Sequence, residues 1–197
     1  KLFRNNRVQS GFSYHARWRA TMLAQAIKAG GVVACPAEGV WGLSCDPFNE
    51  QAVLKLLELK RRSVSKGLIL VASNSGMFEN TLSQLDRRLR EQVIESWPGP
   101  NTWLVPNQNL FPKWITGDSE EVAIRVTSAP ALSALSDAFG EPLVSTSANP
   151  AGMPPAHYVW EVRRYFGMVI PIMAGRLNRA GKSSTIRRVG TGELVRS

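Results

Sequence analysis

The residue types best suited to chemistry lie in three short segments: Lys60-Arg61-Arg62, Arg125 in the run from Val122 to Val126, and Ser145-Thr146-Ser147-Ala148-Asn149. Fixed cations together with hydroxyl and amide donors are what a site needs to hold a polyphosphate and to stabilise charge developing on phosphorus. Each segment also has an ordinary structural use. A lysine and an arginine at a helix end usually complement the helix dipole, and a Ser/Asn-rich stretch after a strand is often a turn or a cap. His15 and His157 are the only imidazoles and lack ligand-spaced partners, so the pattern points to neither a zinc site nor a catalytic histidine. No Walker loop or G-x-G-x-x-G turn is present, so any phosphate binding must come from these side chains and from strand-end backbone.

The elements that position these residues read as alternating helix and strand. Residues 17 to 29 place Trp18, Met22, Ala26 and Ile27 at helical spacing before Gly30-Gly31. A buried strand is expected over Val32 to Pro36. Asn49 is a plausible N-cap for a helix with Val53, Leu56, Leu57 and Lys60 at i, i+3, i+4 and i+7, which brings Lys60 to the helix's C-terminal end. A strand over Gly67 to Ala72 and a helix over Ser83 to Trp97 follow, the latter ended by Trp97-Pro98-Gly99-Pro100. Strands are expected at Thr102 to Val105, Val122 to Val126 and Leu143 to Thr146. Helices are expected at Ala131 to Phe139 and Tyr158 to Phe166, and late strands at Met168 to Met173, Thr185 to Val189 and Glu193 to Val195. The pattern is α/β, a single domain with a twisted mixed sheet flanked by helices, with a basic tail over 1–15 and the domain proper over 16–197.

At 197 residues and 44% hydrophobic, the chain can bury one substantial core. The net charge of +9 implies an anionic partner, either nucleotide or RNA, unless it is merely a solvated basic face. Lys1, Arg4, Arg7, Arg17, Arg19 and Lys28 precede the first acid, Glu38. That start reads as a frayed basic tail leading into a helix, with an RNA-contacting arm or a targeting remnant as alternatives. Cys35 and Cys45 lack metal or redox spacing and read as reduced core residues of an intracellular protein. The uncharged apolar stretches are far shorter than a membrane span, so no membrane partner is expected.

Six segments in this order are more specific than any one of them: Pro36-x-Glu38-x-x-x-Gly42-Leu43, Lys60-x-Arg62-x-x-x-Lys66-x-Leu68, Trp97-Pro98-Gly99-Pro100-x-Thr102, the Arg125 strand, Ser145 to Asn149 followed by Gly152, and Ser183-Ser184-Thr185-Ile186. From about residue 18 onward the chain resembles the YrdC/TsaC family of threonylcarbamoyl-AMP synthases, in the short bacterial form.

The resemblance implies a YrdC-like fold around a deep basic cavity, and conversion of L-threonine, bicarbonate and ATP to threonylcarbamoyl-AMP and pyrophosphate. It implies that Mg2+ is carried with ATP, that the product passes to a threonylcarbamoyl transferase complex for modification of tRNA adenosine 37, and that the protein is cytoplasmic. Lys60, Arg62, Ser147 and Asn149 match the family's signature quartet, expected to be catalytic and ATP-binding. Thr102 and Ser184 match positions associated with ATP, and Arg125 and Ser145 match positions associated with threonine. Ala37 stands where the family usually has a threonine, next to the amino-acid pocket, and Lys66-Gly67 stands where Lys-Pro is common, which should loosen the loop after Lys60. Two other readings remain open: a double-stranded RNA or ribosome-assembly protein using the same basic concavity, with tRNA or RNA contact, and a nucleotide sensor without turnover.

Overall fold

The computed structural model describes residues 14–177 and 184–196. Most of the tail expected over 1–15, and Ser183, lie outside the described residues. Eight strands form one mixed sheet: β1 (Val33–Pro36), β2 (Trp41–Ser44), β3 (Ile69–Ala72), β4 (Asn101–Pro106), β5 (Glu121–Val126), β6 (Leu143–Ser147), β7 (Thr185–Arg188) and β8 (Leu194–Arg196). Their order is β1-β2-β6-β3-β5-β4-β7-β8. The β3–β5 and β4–β7 pairs are parallel and the others antiparallel. The described helices are α1 (Tyr14–Lys28), α2 (Glu50–Lys60), α3 (Glu79–Leu82), α4 (Arg87–Glu95), α5 (Lys113–Thr116), α6 (Pro130–Phe139) and α7 (Val159–Phe166).

Strand alternation divides the sheet into a core face and a working face. On β5, Val122, Ile124 and Val126 point into the larger core with Leu70, Ala72, Trp103 and Val105, against Val53, Leu56 and Leu57 of α2. The opposite face is covered in part by α1 and α6, which form a second cluster with Val33, Cys35, Val71 and Leu143. Further along that second face, Ser145, Ile69, Ala123, Leu104 and Arg188 lie side by side across five neighbouring strands. All five line a cavity.

The helix after Asn49 forms as expected. The Asn49 side chain accepts from the Ala52 amide at 3.1 Å, and Val53, Leu56, Leu57 and Lys60 are all buried. Gly140 closes α6 in the left-handed region (φ 95°), directly after the expected helix end at Phe139. Cys35 and Cys45 are free, buried thiols, and burial pushes both upward from the ordinary thiol value.

Four expectations need correction. Trp18 and Met22 are 59% and 52% exposed; α1 instead packs on Ala20, Ala24 and Ile27, at i, i+4 and i+7, because small residues let it lie close against α6. The helix expected from Ser83 begins at Arg87, where the Asp86 carboxylate caps the Leu89 amide at 2.9 Å. Met168 to Met173 forms no strand. Pro171 has no N–H to give a ladder, and only an isolated bridge joins Ile172 to Ala34. Finally, the loop after Lys60 is tied down rather than loosened at Gly67. Its φ is 62°, its amide donates to Val64 O at 3.2 Å, and a Cβ there would stand 2.9 Å from Thr116 O. Proline could supply neither that φ nor that donor.

Candidate functional site

The cavity encloses about 390 Å³. Its wall includes the β1–β2 turn (Ala37 to Val40), the loop after α2 (Arg62 and Lys66 to Leu68), the end of α5 (Ile115 and Thr116), and the working face of the sheet. On β5 the alternation that buries Val122 and Ile124 turns Glu121, Ala123 and Arg125 toward the cavity. On β7 and the residue just before it, the same period presents Ser184, Ile186 and Arg188. Gly42 lets β2 approach β6 closely, since a Cβ there would lie 3.1 Å from Thr146 O and 3.9 Å from Ser145 Oγ.

Of the residues singled out from sequence, Ala37, Arg62, Arg125, Ser145, Ser147 and Ser184 line this cavity together. Lys60, Thr102 and Asn149 stand behind the wall. Thr102 Oγ1 lies 3.0 Å from Ser184 Oγ, in a buried hydroxyl pair. The Lys60 ammonium, on a residue 4% exposed, donates to the carbonyls of Ser147 and Asn149, the latter at 2.9 Å. Burial, and secondarily the Arg62 guanidinium, lower it from its ordinary value to about 8. Asn149 Nδ2 donates to Met153 O at 2.6 Å, while its buried Oδ1 has no hydrogen-bond partner.

Arginine dominates the electrostatics of the wall. Arg62 Nη2 donates to Gly67 O at 3.0 Å and leaves a buried Nε unpartnered. Arg125 is buried and lowered by desolvation, partly offset by Glu38, whose Oε2 is 3.3 Å from Arg125 Nη2. Arg196, held by Ser184 O at 3.3 Å, is lowered by burial and then by Arg125 and Arg62. Arg196, disfavoured by both Arg125 and Arg62 across the cavity, makes with them a seat for an anion, because an anion turns that repulsion into attraction.

Sequence reasoning gave no role to Arg188, Arg196, Thr116, Glu121 or Glu38. The signal available for Arg188 was period-two spacing from Ser184 through Ile186. Arg196 carried no such signal, because its arrival at the cavity depends on β8 pairing back onto β7. Thr116 lines the wall with a buried, unpartnered Oγ1 that the packing of α5 against the 64–66 turn, α2 and β5 brings there.

Among the described residues no group of three or more His, Cys, Asp or Glu could hold a metal ion. The lining carboxylates are Glu121, which takes Arg188 Nε at 3.0 and 2.9 Å, and Glu38, beside Arg125. These residues do not fit a resident divalent cation. No helix among the described residues is long and apolar enough to cross a membrane.

Comparison with known proteins places this geometry among relatives. The model of the Sua5/YciO/YrdC family, whose description reads "Telomere recombination", matches residues 25–197. The threonylcarbamoyl-AMP synthase of Cellvibrio japonicus (strain Ueda107) is 49% identical over 179 residues, covering 90% of this chain and 95% of that protein. That of Pseudomonas savastanoi pv. phaseolicola is 47% identical over 181 residues, covering 91% and 97%. The crystal structure of P. abyssi Sua5 complexed with L-threonine superposes with a TM-score of 0.82 at 27% identity over 91% of this chain. This chain spans 54% of that one's length.

Proposed function

The chain belongs to the Sua5/YciO/YrdC family, and from that premise we propose that it is a threonylcarbamoyl-AMP synthase, joining L-threonine, bicarbonate and ATP with release of pyrophosphate. The observation that carries the reading is the convergence of Arg62, Arg125 and Arg196 on one cavity with the hydroxyls of Ser145 and Ser147.

The chemistry asks for little else. Threonine's amine and bicarbonate form a carbamate with loss of water. A carbamate oxygen then attacks the α-phosphorus of ATP, and pyrophosphate leaves with the electron pair of the broken P–O bond. Most of the barrier is lowered by holding anions in line and stabilising charge on phosphate, which arginines and fixed donors can do. Arg62 and Arg196 contact the phosphates, Arg125 and Ser145 take the threonine carboxylate and its neighbour, and Ser147 donates to the reacting groups. Lys60 and Asn149 fix the strand end that carries Ser147. Thr102 acts through Ser184, whose hydroxyl it touches, to shape the nucleotide side. Magnesium enters on the phosphates of ATP rather than on protein ligands. Enclosure matters because carbamate and mixed anhydride both hydrolyse. In the same reading the protein works in the cytoplasm and passes its product to a transferase that modifies tRNA adenosine 37.

The decisive experiment incubates purified protein with ATP, L-threonine, bicarbonate and magnesium. Threonine-dependent pyrophosphate release, with the adenylate detected by mass spectrometry, is the expected result. A folded sample that binds ATP without forming the adenylate returns the protein to the nucleotide-sensor or RNA-binding readings.

A further inference from the structure

Among the arginines lining the cavity, Arg125 alone is buried, with 5% of its surface exposed. Its Nε has no hydrogen-bond partner among the described residues, so the guanidinium is not fixed from that side. What holds it is Glu38, the one acid within ion-pair distance of it among the described residues, with Oε2 at 3.3 Å from Nη2. Both side chains are at most a tenth exposed, so little water competes for the contact.

Glu38 comes from the β1–β2 turn and is itself anchored by the chain just past β5. The Thr127 hydroxyl accepts from the Ala129 amide at 3.1 Å, which leaves its own proton for Glu38 Oε1 at 2.6 Å, and the Ser128 amide donates to the same oxygen at 3.1 Å. Two donors on Oε1 fix the carboxylate and leave Oε2 to Arg125. Thr127 is 2% exposed and does not line the cavity, so its route to a bound ligand runs through Glu38. One stretch of chain thus supplies the arginine and, two residues on, the hydroxyl that orients the arginine's counter-ion.

We propose that Thr127 and Glu38 are positioning residues for the amino-acid end of the site, holding the Arg125 guanidinium in the orientation from which it receives the threonine carboxylate. The sign of their effect separates this role from simple charge balance. A carboxylate beside Arg125 cancels part of the field that draws an anion, so if charge alone counted, neutralising Glu38 would tighten threonine binding. Under positioning the binding weakens, because a buried arginine that has lost its partner turns to other acceptors and gives up the productive geometry. The inference rests on the synthase reading, in which Arg125 takes the threonine carboxylate.

The test titrates L-threonine and ATP separately, by calorimetry, into the wild type, Thr127→Val, Thr127→Ser and Glu38→Gln, with melting curves beside them. Thr127→Val deletes the hydroxyl at constant shape and changes no charge, whereas Thr127→Ser keeps the hydroxyl. Glu38→Gln keeps an oxygen for Thr127 and Ser128 but turns an NH2 group toward Arg125. Thr127→Val is expected to weaken threonine about fivefold and Glu38→Gln about tenfold, the scale of one hydrogen bond and of one to a charged group. ATP affinity should stay within about twofold in both, and Thr127→Ser should return threonine to within about twofold of the wild type.

Unchanged threonine affinity in Thr127→Val, or tighter threonine binding in Glu38→Gln, overturns the proposal and leaves the synthase reading standing. Equal losses for threonine and ATP that follow the melting midpoint do the same, since the pair then only braces the fold. Should Thr127→Val fail to fold, the sign of the change in Glu38→Gln decides alone. Wild-type protein that binds ATP but not threonine overturns this inference and the synthase reading together.

Discussion

The Lys60 ammonium donates to the main-chain carbonyl of Asn149 at 2.9 Å, and the Lys60 carbonyl accepts from the Ala151 amide at 2.7 Å. One residue at the end of α2 thus grips the segment after β6 from two sides. Its side chain is a charge placed where helix-end carbonyls already favour a cation, but it is spent on backbone of the Ser147–Asn149 stretch. Its influence on chemistry runs through the shape of that stretch.

Lys60→Ala is therefore expected to cost stability as well as activity. Two buried carbonyls lose a charged donor, a loss of about 2–4 kcal/mol, readable as a lower denaturation midpoint, with turnover falling in step. The charge itself has a measurable sign. Folding lowers the Lys60 ammonium from 10.5 to about 8, so between those values the unfolded chain binds more protons and stability rises with pH. The cost of burying the charge is fully present below pH 8 and relieved toward 10.5. Against Lys60→Met, which has no proton to lose, the wild type should gain about 2–3 kcal/mol across that window in urea unfolding. A pH-independent difference would mean that the ammonium is not desolvated.

Arg62 and Arg196 should separate from Lys60 by leaving stability nearly untouched. Each is only partly buried and holds few core atoms. Arg62→Ala should lower kcat/KM by about 2–4 kcal/mol, the cost of removing an electrostatic donor from a transition state, and Arg196→Ala should weaken ATP binding about tenfold to a hundredfold. Both effects should shrink as salt is raised. If Arg196→Ala binds ATP as the wild type does, the β8 strand only closes the sheet and the phosphates lie elsewhere.

Asn149 has a divided side chain. Nδ2 closes the 149–153 turn through Met153 O at 2.6 Å, and Oδ1 is buried without a partner. Asn149→Ala is expected to cost about 1–2 kcal/mol of stability through the turn, and more than about tenfold in product formation per folded molecule because the strand end that carries Ser147 is no longer held in place. Ser147→Ala, whose hydroxyl is not part of that turn, should lower activity with almost no change in midpoint. Equal activity per folded molecule in both variants would reduce the segment to a turn.

How far the sequence revealed this site depends on the range of the signals. Asn49 capping α2 and Gly140 ending α6 act over a few residues, and their local chemistry is written in the chain. The α1 face was misread because Trp18 and Met22 match helical spacing as well as Ala20 and Ala24 do; only the closeness of α6, more than a hundred residues on, decides for the alanines. The site divides in the same way. Arg62, Arg125 and the Ser145–Ser147 stretch were visible as residue types at strand and helix ends. The placement of Lys60 behind the wall, the return of Arg196 through β8 and the ion pair of Glu38 with Arg125 depend on pairings between distant segments.

Ala37 is the position where the resemblance leads to the expectation of a threonine, and its surroundings sharpen what a hydroxyl there would do. Its methyl group belongs to the cluster with Val33, Cys35 and Ala131, its backbone amide closes the β1–β2 turn onto Val40 O at 3.1 Å, and the residue lines the cavity beside Glu38. In Ala37→Thr the added hydroxyl can reach the ligand only if the new methyl takes the place of the old one in the cluster. Where it does, threonine binding should tighten by about 0.5–1.5 kcal/mol, the net value of one hydrogen bond, with ATP affinity unchanged. Where the methyl crowds the cluster instead, the melting midpoint falls and threonine binding does not improve. Titrating threonine and ATP into both proteins, beside their melting curves, distinguishes these outcomes. A change confined to ATP affinity would show that the β1–β2 turn serves the nucleotide, and would move the amino-acid pocket away from Arg125 and Ser145.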